Sequence, residues 1–295
     1  MKNDNLFKDK ELNYILEKDG IVKFTLPDKE IVSKCQQIID NVAPPVSENF
    51  KHGFYAGVLI NDVDFKKNMS AMFGKVLIPP FSKITENYRF MSFSYLAKGI
   101  GERTALDIHQ DWSVTDERNY NSYNLWIPLS NSTKENGTLY ALKGSHKFPL
   151  NIRGGGIPPK YMNHREKAIH AMEIYDVKLG EALIFDSRLV HYSPPNQTEK
   201  IRYAIVAPLI SNKTQPIVYN GEIVADKLKV RAYRAPDDFY MNFTNFMEQK
   251  DKAPDFVEFI GEIDNPNTDE ISEEEFLTLL KQVPKKKRFF WQQWL

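Results

Sequence analysis

Short apolar runs separated by turn-forming residues fill the chain from about residue 88 to residue 210. The runs are "YRFMSFSYLAKG", "ALDIHQDWSV", "SYNLWIPLS", "GTLYALKGS", "MEIYDVKLGEALIFD" and "RYAIVAPLI". Many short strands punctuated by glycine, asparagine and proline are typical of antiparallel sandwiches and jelly rolls, whereas alternating strands and helices would indicate a parallel sheet. The pattern predicts a mainly β domain with flanking helices, whose core over residues 88–210 is an antiparallel sandwich or a jelly roll.

Before this core, the apolar residues mostly recur at the spacing typical of helices. Residues 10–19 predict a helix that ends at Gly20, "IVKFTL" predicts a strand, and residues 28–43 predict an amphipathic helix that ends at Pro44 and Pro45. We therefore expect residues 1–87 to be a helical decoration of the same domain.

The residues after the core, 211–295, are predicted to form a helical extension. The aromatic run "DDFYMNFTNFM" favours a helix, and a capping box from Ser272 to Glu275 predicts that the last helix begins near Glu273. Residues 284–295, "PKKKRFFWQQWL", form a basic and aromatic tail. The tail could be a nuclear address, a membrane-surface contact or a docking segment, but a solvated basic turn with aromatics folded onto the domain is favoured.

A long connection at residues 147–172 carries the glycine triplet of "RGGGIPP". It lacks the Gly-Lys-Ser/Thr of a phosphate-binding loop, which excludes that interpretation. Because a long connection in a compact domain is usually functional or disordered, we interpret it as a lid over a site, with an idle surface loop as the alternative. It contributes Arg153, Lys160, His164 and Arg165, a cationic tendency that would suit a carboxylate, a phosphate or a carrier-linked substrate.

The charge balance is neutral, with 39 basic and 39 acidic side chains. A neutral chain has no general field for attracting nucleic acid or an anionic membrane, so a small molecule or a local peptide segment is the expected partner. The first twenty residues mix charges throughout, and no segment approaches the roughly 20 apolar residues of a membrane span. These features predict a soluble, cytoplasmic protein.

The single cysteine, Cys35, cannot form an internal disulfide. It is in helical register with the apolar residues Ile31, Ile38, Ile39 and Val42. A buried structural thiol is therefore favoured over a reactive one.

His109 and Asp111 are two residues apart in a segment with a strand pattern, so both side chains would point to the same face. A second histidine, His191, follows the buried-looking run "GEALIFDSRLV". Two histidines and one carboxylate form the facial triad of non-haem Fe(II), which leaves three coordination positions open.

The order of "HQD", "NGTLYALKGSH", "GEALIFD", "HYSPPN" and a following arginine resembles the phytanoyl-CoA dioxygenase family of Fe(II)/2-oxoglutarate oxygenases. The resemblance covers roughly residues 10 to 210. It implies a cupin-like jelly roll, the double-stranded β-helix, with Fe(II) held by His109, Asp111 and His191. It also implies 2-oxoglutarate as co-substrate and O2 as oxidant.

The resemblance further implies which residues hold 2-oxoglutarate. Arg202, eleven residues after His191, would bind its far carboxylate with help from the Ser193 hydroxyl. Gln110 and Trp126 match positions that line the co-substrate pocket. Halogenating relatives have a small residue at the position of Asp111, so a full carboxylate there favours hydroxylation or a related oxidation.

The substrate is expected to be a small polar metabolite, an amino-acid-like or peptide-like molecule, or a natural-product intermediate, rather than a fatty acyl-CoA. Two alternatives stay open. One is a cupin-type metalloenzyme that does not use 2-oxoglutarate, for which Arg202 would matter little. The other is a non-catalytic binding protein on the same fold, which would dock through its tail.

Overall fold

Two antiparallel sheets pack face to face in the computed structural model, which describes residues 4–42, 53–248 and 255–284. Buried side chains from both sheets meet in one cluster, including Trp126 and Phe185 of the larger sheet and Leu139 of the smaller one. This is the jelly-roll core that the family resemblance implies, and it confirms the mainly β domain with flanking helices that the run pattern predicts.

The larger sheet has seven antiparallel strands. Six lie in the order β1 (Ile21–Thr25), β9 (Glu181–Asp186), β6 (Ser122–Pro128), β11 (Arg202–Ser211), β4 (Ser94–Lys98) and β2 (Phe54–Ala56), and β3 (Tyr88–Phe90) pairs with the far end of β11. Strand β6 shows the two-residue period clearly, because Leu125 and Ile127 pack against the helices while Trp126 faces the smaller sheet.

The smaller sheet has four antiparallel strands, in the order β5 (Leu106–His109), β10 (His191–Ser193), β7 (Leu139–Ala141) and β8 (Glu173–Tyr175). Ile108 and Tyr192 pack in an outer cluster on the face away from the larger sheet. Their neighbours His109 and His191 consequently face the inside of the jelly roll.

Three helices cover the outer face of the larger sheet: α1 (Lys10–Asp19), α2 (Ile31–Val42) and α3 (Val63–Phe81). Helix α1 begins after Asp9, whose carboxylate accepts from two backbone N–H groups, and ends at Gly20, which has a left-handed φ of 77°. Among the described residues, no helix combines the length and apolar composition needed to cross a membrane.

The interpretation of residues 1–87 as decoration needs correction. Strand β1 pairs along its full length with β9, and β2 pairs with β4, so both become members of the larger sheet. Without β1 and β2, strands β9 and β4 would be the edges of the sheet and would each leave a row of backbone N–H and C=O groups unpaired. Strands β1 and β2 pair with these groups.

The helical prediction for residues 211–295 is wrong where three strands form. A third sheet forms there from β12 (Ile217–Val224), β13 (Lys227–Arg234) and β14 (Glu258–Ile263). The hairpin between β12 and β13 turns at Ala225 and Asp226, which both have positive φ, as a two-residue hairpin turn requires. The sheet was missed because its turn lacks the usual glycine or asparagine.

The helical parts of this extension are a short 3-10 turn at Phe239–Asn242, α5 (Phe243–Glu248) and α6 (Glu273–Gln282). The capping box of α6 is confirmed: the Glu275 N–H donates to Ser272 Oγ, and the Ser272 N–H donates to the Glu275 carboxylate. Pro44 and Pro45, and residues 285–295 of the predicted tail, lie outside the described residues.

The segment 147–172 is tied to the rest of the protein at many points. It contains a 3-10 turn at Met162–His164 and helix α4 (Arg165–Ala171). Each of the four cationic side chains named in the sequence analysis has a partner inside the protein: Arg153 with Glu117, Lys160 with Asn267, His164 with the Ile271 carbonyl, and Arg165 with Asp107. The pairing removes the basis for assigning these cations to an anionic substrate.

The glycine triplet, residues 154–156, lies directly against β12, and we call it the glycine strap. A Cβ at Gly154 would lie 2.2 Å from the Tyr219 carbonyl oxygen, and one at Gly156 would lie 2.1 Å from that of Gly221. Backbone hydrogen bonds join the two segments, among them one of 2.7 Å from the Gly221 N–H to the Gly155 carbonyl. The triplet is thus explained by close backbone packing.

Loss of the buried Arg153–Glu117 ion pair should destabilise the protein strongly. Both side chains are at most 7% exposed, and the guanidinium donates to the carboxylate at 2.5 and 2.7 Å. Glu117→Gln leaves a buried cation without its counter-ion and should lower the free energy of unfolding by about 3 kcal/mol or more in urea melts. Glu258→Gln, which breaks the exposed pair with Arg234, is the control and should cost under about 1 kcal/mol. Equal losses would show that the buried pair contributes no more than an exposed one.

Cys35 is fully buried in α2, which confirms the structural thiol that its helical register predicts. Burial raises the pKa of the Cys35 thiol to about 12. We expect a thiol reagent such as DTNB at pH 8 to react with the native protein at least about a hundredfold more slowly than with the urea-unfolded chain, because the thiolate is the reactive form. Comparable rates would show that the thiol is accessible in the folded protein.

Candidate active site

Pairing of β5 with β10 brings His109 and His191 together, since their Cα positions are direct partners in the smaller sheet. Their rings lie 4.1 Å apart between centroids. Asp111 lies two residues beyond the end of β5 rather than within a strand. Its Oδ1 is 3.6 Å from His109 Nε2 and 3.8 Å from His191 Nε2. Within residues 4–42, 53–248 and 255–284, these three form the only cluster of three potential metal ligands.

Backbone carbonyls orient both imidazoles. His109 Nδ1 lies 2.7 Å from the Asp107 carbonyl oxygen, and His191 Nδ1 lies 2.9 Å from that of Leu189. A carbonyl can only accept, so each Nδ1 carries a hydrogen, and in the neutral ring Nε2 keeps its lone pair. Both lone pairs are therefore available to a metal.

Two groups position Asp111. The Asn124 side-chain amide donates to Asp111 Oδ2 at 2.7 Å, which leaves Oδ1 facing the two histidines. Arg153 Nε donates to the Asp111 backbone carbonyl at 2.7 Å. Asn124 was not among the residues predicted from the sequence, although a polar residue two positions before Trp126 on the inward face of β6 was a usable signal.

The ionisation of the triad suits a divalent cation. Burial opposes the charge of Asp111, but His191 and His109 outweigh it and lower the pKa of this carboxyl. Burial and the neighbouring His109 lower the pKa of His191 to about 4. Burial alone would lower the pKa of His109, but its contact with Asp111 raises it. A carboxylate beside a neutral His191 is thus ready to bind a metal, which would displace any proton from His109.

Arg202 begins β11 and is only 3% exposed, yet its Nε and Nη1 have no hydrogen-bond partner among the described residues. Its guanidinium stacks over the Trp126 ring, 5.0 Å from the centroid. Burial lowers the pKa of Arg202 to about 10, so the group stays charged at neutral pH. An unpaired buried guanidinium is costly, and a carboxylate bound in bidentate fashion would satisfy it.

The neighbouring cation Lys98 is buried too, but it is paired. Its ammonium donates to the carbonyls of Thr104 and Pro194, both at 2.7 Å. Burial and the nearby Arg202 lower the pKa of Lys98 to about 7. Of these two adjacent cations, Arg202 is therefore the one with donors free for a ligand.

One cavity of about 260 Å³ is lined by His109, Asp111, His191, Arg202, Trp126 and Ser193. The Ser193 hydroxyl, however, already donates to the Gly137 carbonyl at 2.7 Å. Gln110 lies outside this cavity, because adjacent residues of an extended chain face opposite ways, and its amide donates to the Arg188 carbonyl. The structure thus brings together six of the seven site residues predicted from the sequence.

A jelly roll that holds two histidines and one carboxylate at its mouth defines a non-haem Fe(II) site, and the free arginine beside it fits the far carboxylate of 2-oxoglutarate. The phytanoyl-CoA dioxygenase (PhyH) family model matches residues 36–204, more than half of the chain. The protein belongs to this family of Fe(II)/2-oxoglutarate oxygenases. Membership confirms the predicted enzyme class, Fe(II) and 2-oxoglutarate.

Among relatives, a phytanoyl-CoA dioxygenase domain-containing protein 1 homolog from Dictyostelium discoideum is 27% identical over 123 residues, which cover 39% of this chain and 44% of that protein. The match thus spans less than half of that relative.

Solved structures of other proteins resemble this one. HygX from Streptomyces hygroscopicus, with nickel, 2-oxoglutarate and hygromycin B bound, shares the fold, with a TM-score of 0.50 and 15% identity over 70% of this chain and 88% of that one. EvdO2 from Micromonospora carbonacea var. aurantiaca, complexed with 2-oxoglutarate, has a TM-score of 0.46 and 19% identity over 69% and 91%.

Removal of the Asn124 amide should weaken metal binding. Asn124→Ala frees the Asp111 carboxylate to rotate, and the loss of such an orienting partner typically costs about 10- to 100-fold in metal affinity. Anaerobic Fe(II) titration followed by calorimetry measures the change. Asn119→Ala, which removes an amide donor to the surface residue Asp116, is the matched control and should bind iron as the wild type does. Wild-type affinity in Asn124→Ala would exclude the orienting role.

Proposed function

We propose that the protein is a hydroxylase that inserts one oxygen atom of O2 into an unactivated C–H bond of a small molecule. The observation that carries the proposal is the arrangement of the triad and the unpaired Arg202 guanidinium around one cavity. With iron and 2-oxoglutarate bound, O2 converts 2-oxoglutarate to succinate and CO2 and the substrate C–H to C–OH.

The residues of this chain would divide the work. His109, Asp111 and His191 would hold the iron on one face and leave its other positions open. Arg202 would bind the far carboxylate of 2-oxoglutarate through the two nitrogens that lack partners, and the Trp126 ring would keep the guanidinium in place. The apolar lining, with residues such as Leu139 and Phe185, would keep water away from the reacting groups.

The choice of hydroxylation rests on Asp111. Its carboxylate occupies the place that a halide needs in halogenating relatives, and Asn124 holds it toward the two histidines. Because Asp111 would take the coordination position that a halide needs, we expect the substrate to receive a hydroxyl rather than a halogen.

The cavity narrows the substrate classes expected from the sequence, which were small polar, amino-acid-like, peptide-like and natural-product molecules. Apart from the triad and Arg202, every described residue that lines the cavity is uncharged. The polar groups are few, among them Ser92, Ser94 and Asn124. Within those classes, the lining favours a substrate that presents a neutral and largely apolar part to the iron.

The test is an anaerobic titration of the Fe(II)-loaded protein with 2-oxoglutarate, observed through the visible charge-transfer band of the chelated co-substrate. The wild type should give a saturable band. Arg202→Ala should keep its iron but weaken 2-oxoglutarate binding by about a hundredfold or more, because one side of a buried charge pair is removed. Arg234→Ala on β13, whose side chain is 47% exposed, should behave as the wild type.

The other outcomes identify the alternatives. Iron binding without a band in the wild type would favour a cupin-type metalloenzyme that does not use 2-oxoglutarate. A wild-type protein that binds no iron would favour the non-catalytic binding protein.

A further inference from the structure

Three aromatic side chains, Trp112, Tyr240 and Phe243, line the same cavity as the triad, and we call them the aromatic wall. The Trp112 and Phe243 rings lie 4.8 Å apart between centroids, and Tyr240 stacks on Phe243 at 5.8 Å with an interplanar angle of 22°. Trp112 directly follows Asp111 in the chain, so the wall begins beside the metal ligands. All three rings are only half-buried, which leaves apolar area for a ligand to cover.

The wall rests on a rigid base formed by the residues behind it. Phe239 and Phe246 are almost fully buried and pack edge to face at 5.2 Å. Both belong to a cluster that contains Val218 and Tyr233 of the third sheet. The third sheet therefore fixes the side of the short helical segment that faces away from the cavity.

Two attachments fix this base relative to the iron site. The glycine strap joins β12 to the chain beside the triad, and a Cβ at Gly155 would already touch the Trp112 ring at 3.3 Å. Arg89 of β3 donates to both carboxylate oxygens of Asp237, at 2.9 and 2.7 Å, just before the segment that carries Tyr240. The wall is thus held in place before any ligand arrives.

The charges around the wall select against ionic ligands. The Asp111 carboxylate lines the same cavity, but it would be a ligand of the divalent metal, which would compensate its charge. The far carboxylate of 2-oxoglutarate would likewise compensate Arg202, so the loaded site would offer no free counter-ion to an ionic ligand. The Tyr240 hydroxyl is a neutral group that can donate and accept hydrogen bonds.

We propose that the aromatic wall is the specificity determinant of this enzyme and that it binds a neutral, flat, ring-bearing part of the substrate over the iron. Tyr240 and Phe243 lie beyond residues 36–204, which the family model matches, so this part of the site belongs to the C-terminal extension. The inference rests on the proposed function, because it concerns the substrate of the same iron site.

The experiment uses the full chain loaded with Ni(II) and 2-oxoglutarate, so that no turnover occurs. Calorimetry compares three naphthalene probes of similar shape: neutral 2-naphthol, anionic 2-naphthoate and cationic trimethyl(naphthalen-2-ylmethyl)ammonium. We expect 2-naphthol to bind at least about tenfold more tightly than either charged probe. Phe243→Ala should weaken 2-naphthol binding by about tenfold or more, and Tyr240→Phe should retain most of the affinity.

Controls separate the wall from the fold and from the iron site. Phe243→Leu keeps apolar volume without a ring and should also lose affinity for 2-naphthol. Phe259→Ala is the matched control: it removes a phenyl ring from a β14 residue that is 53% exposed. This variant should bind 2-naphthol as the wild type does. Each variant should keep the charge-transfer band with Fe(II) and 2-oxoglutarate.

Equal affinity for the three probes, or wild-type affinity for 2-naphthol in Phe243→Ala and Phe243→Leu, would overturn the wall as a specificity determinant and leave the proposed function standing. Absence of the band in the wild-type protein would instead overturn the proposed function and this inference with it.

Discussion

The pairing of β5 with β10 is the contact on which the chemistry of this protein depends. It places His109 opposite His191, although 82 residues separate them in the chain, and it sets both Nε2 atoms within 4 Å of one Asp111 oxygen. The backbone carbonyls that orient the two imidazoles belong to the chain segments that carry them. A one-residue change of register would turn one histidine outward and abolish the site.

Two buried arginines, Arg153 and Arg202, differ in whether groups inside the protein compensate their charge. Arg153 has a full set of partners, among them the Glu117 carboxylate and the Asp111 carbonyl, so its charge is compensated inside the protein. Arg202 is buried to a similar degree and keeps two nitrogens without partners beside the triad. Because an uncompensated buried charge is destabilising, the fold tolerates at Arg202 a cost that a bound carboxylate would relieve. This contrast supports a co-substrate role for Arg202 and a structural role for Arg153.

The additions to the jelly roll shape the cavity in which the chemistry would occur. Phe54 and Val58 reach it from the N-terminal part, and Tyr240 and Phe243 reach it from the C-terminal extension. The glycine strap connects that extension to the core by backbone contacts that allow no side chain at Gly154 or Gly156. The core thus supplies the metal and co-substrate residues and most of the cavity lining, while the additions contribute Phe54, Val58, Tyr240 and Phe243.

The sequence by itself determined the core strands, helices α1, α2 and α6, and the triad, because these depend on local information: two-residue and helical periods, the capping box at Ser272, and histidines and a carboxylate in a familiar order. Only the tertiary structure decided which side chains point into the cavity and which groups they contact there. It turned Gln110 away from the cavity, directed the Asn124 amide to Asp111, and brought Tyr240 to the iron site. It also paired β12 with β13 in a third sheet, although the turn between them lacks the usual glycine or asparagine. Such contacts join residues far apart in the chain, so a local pattern can mark a candidate residue such as Asn124 but cannot identify its partner.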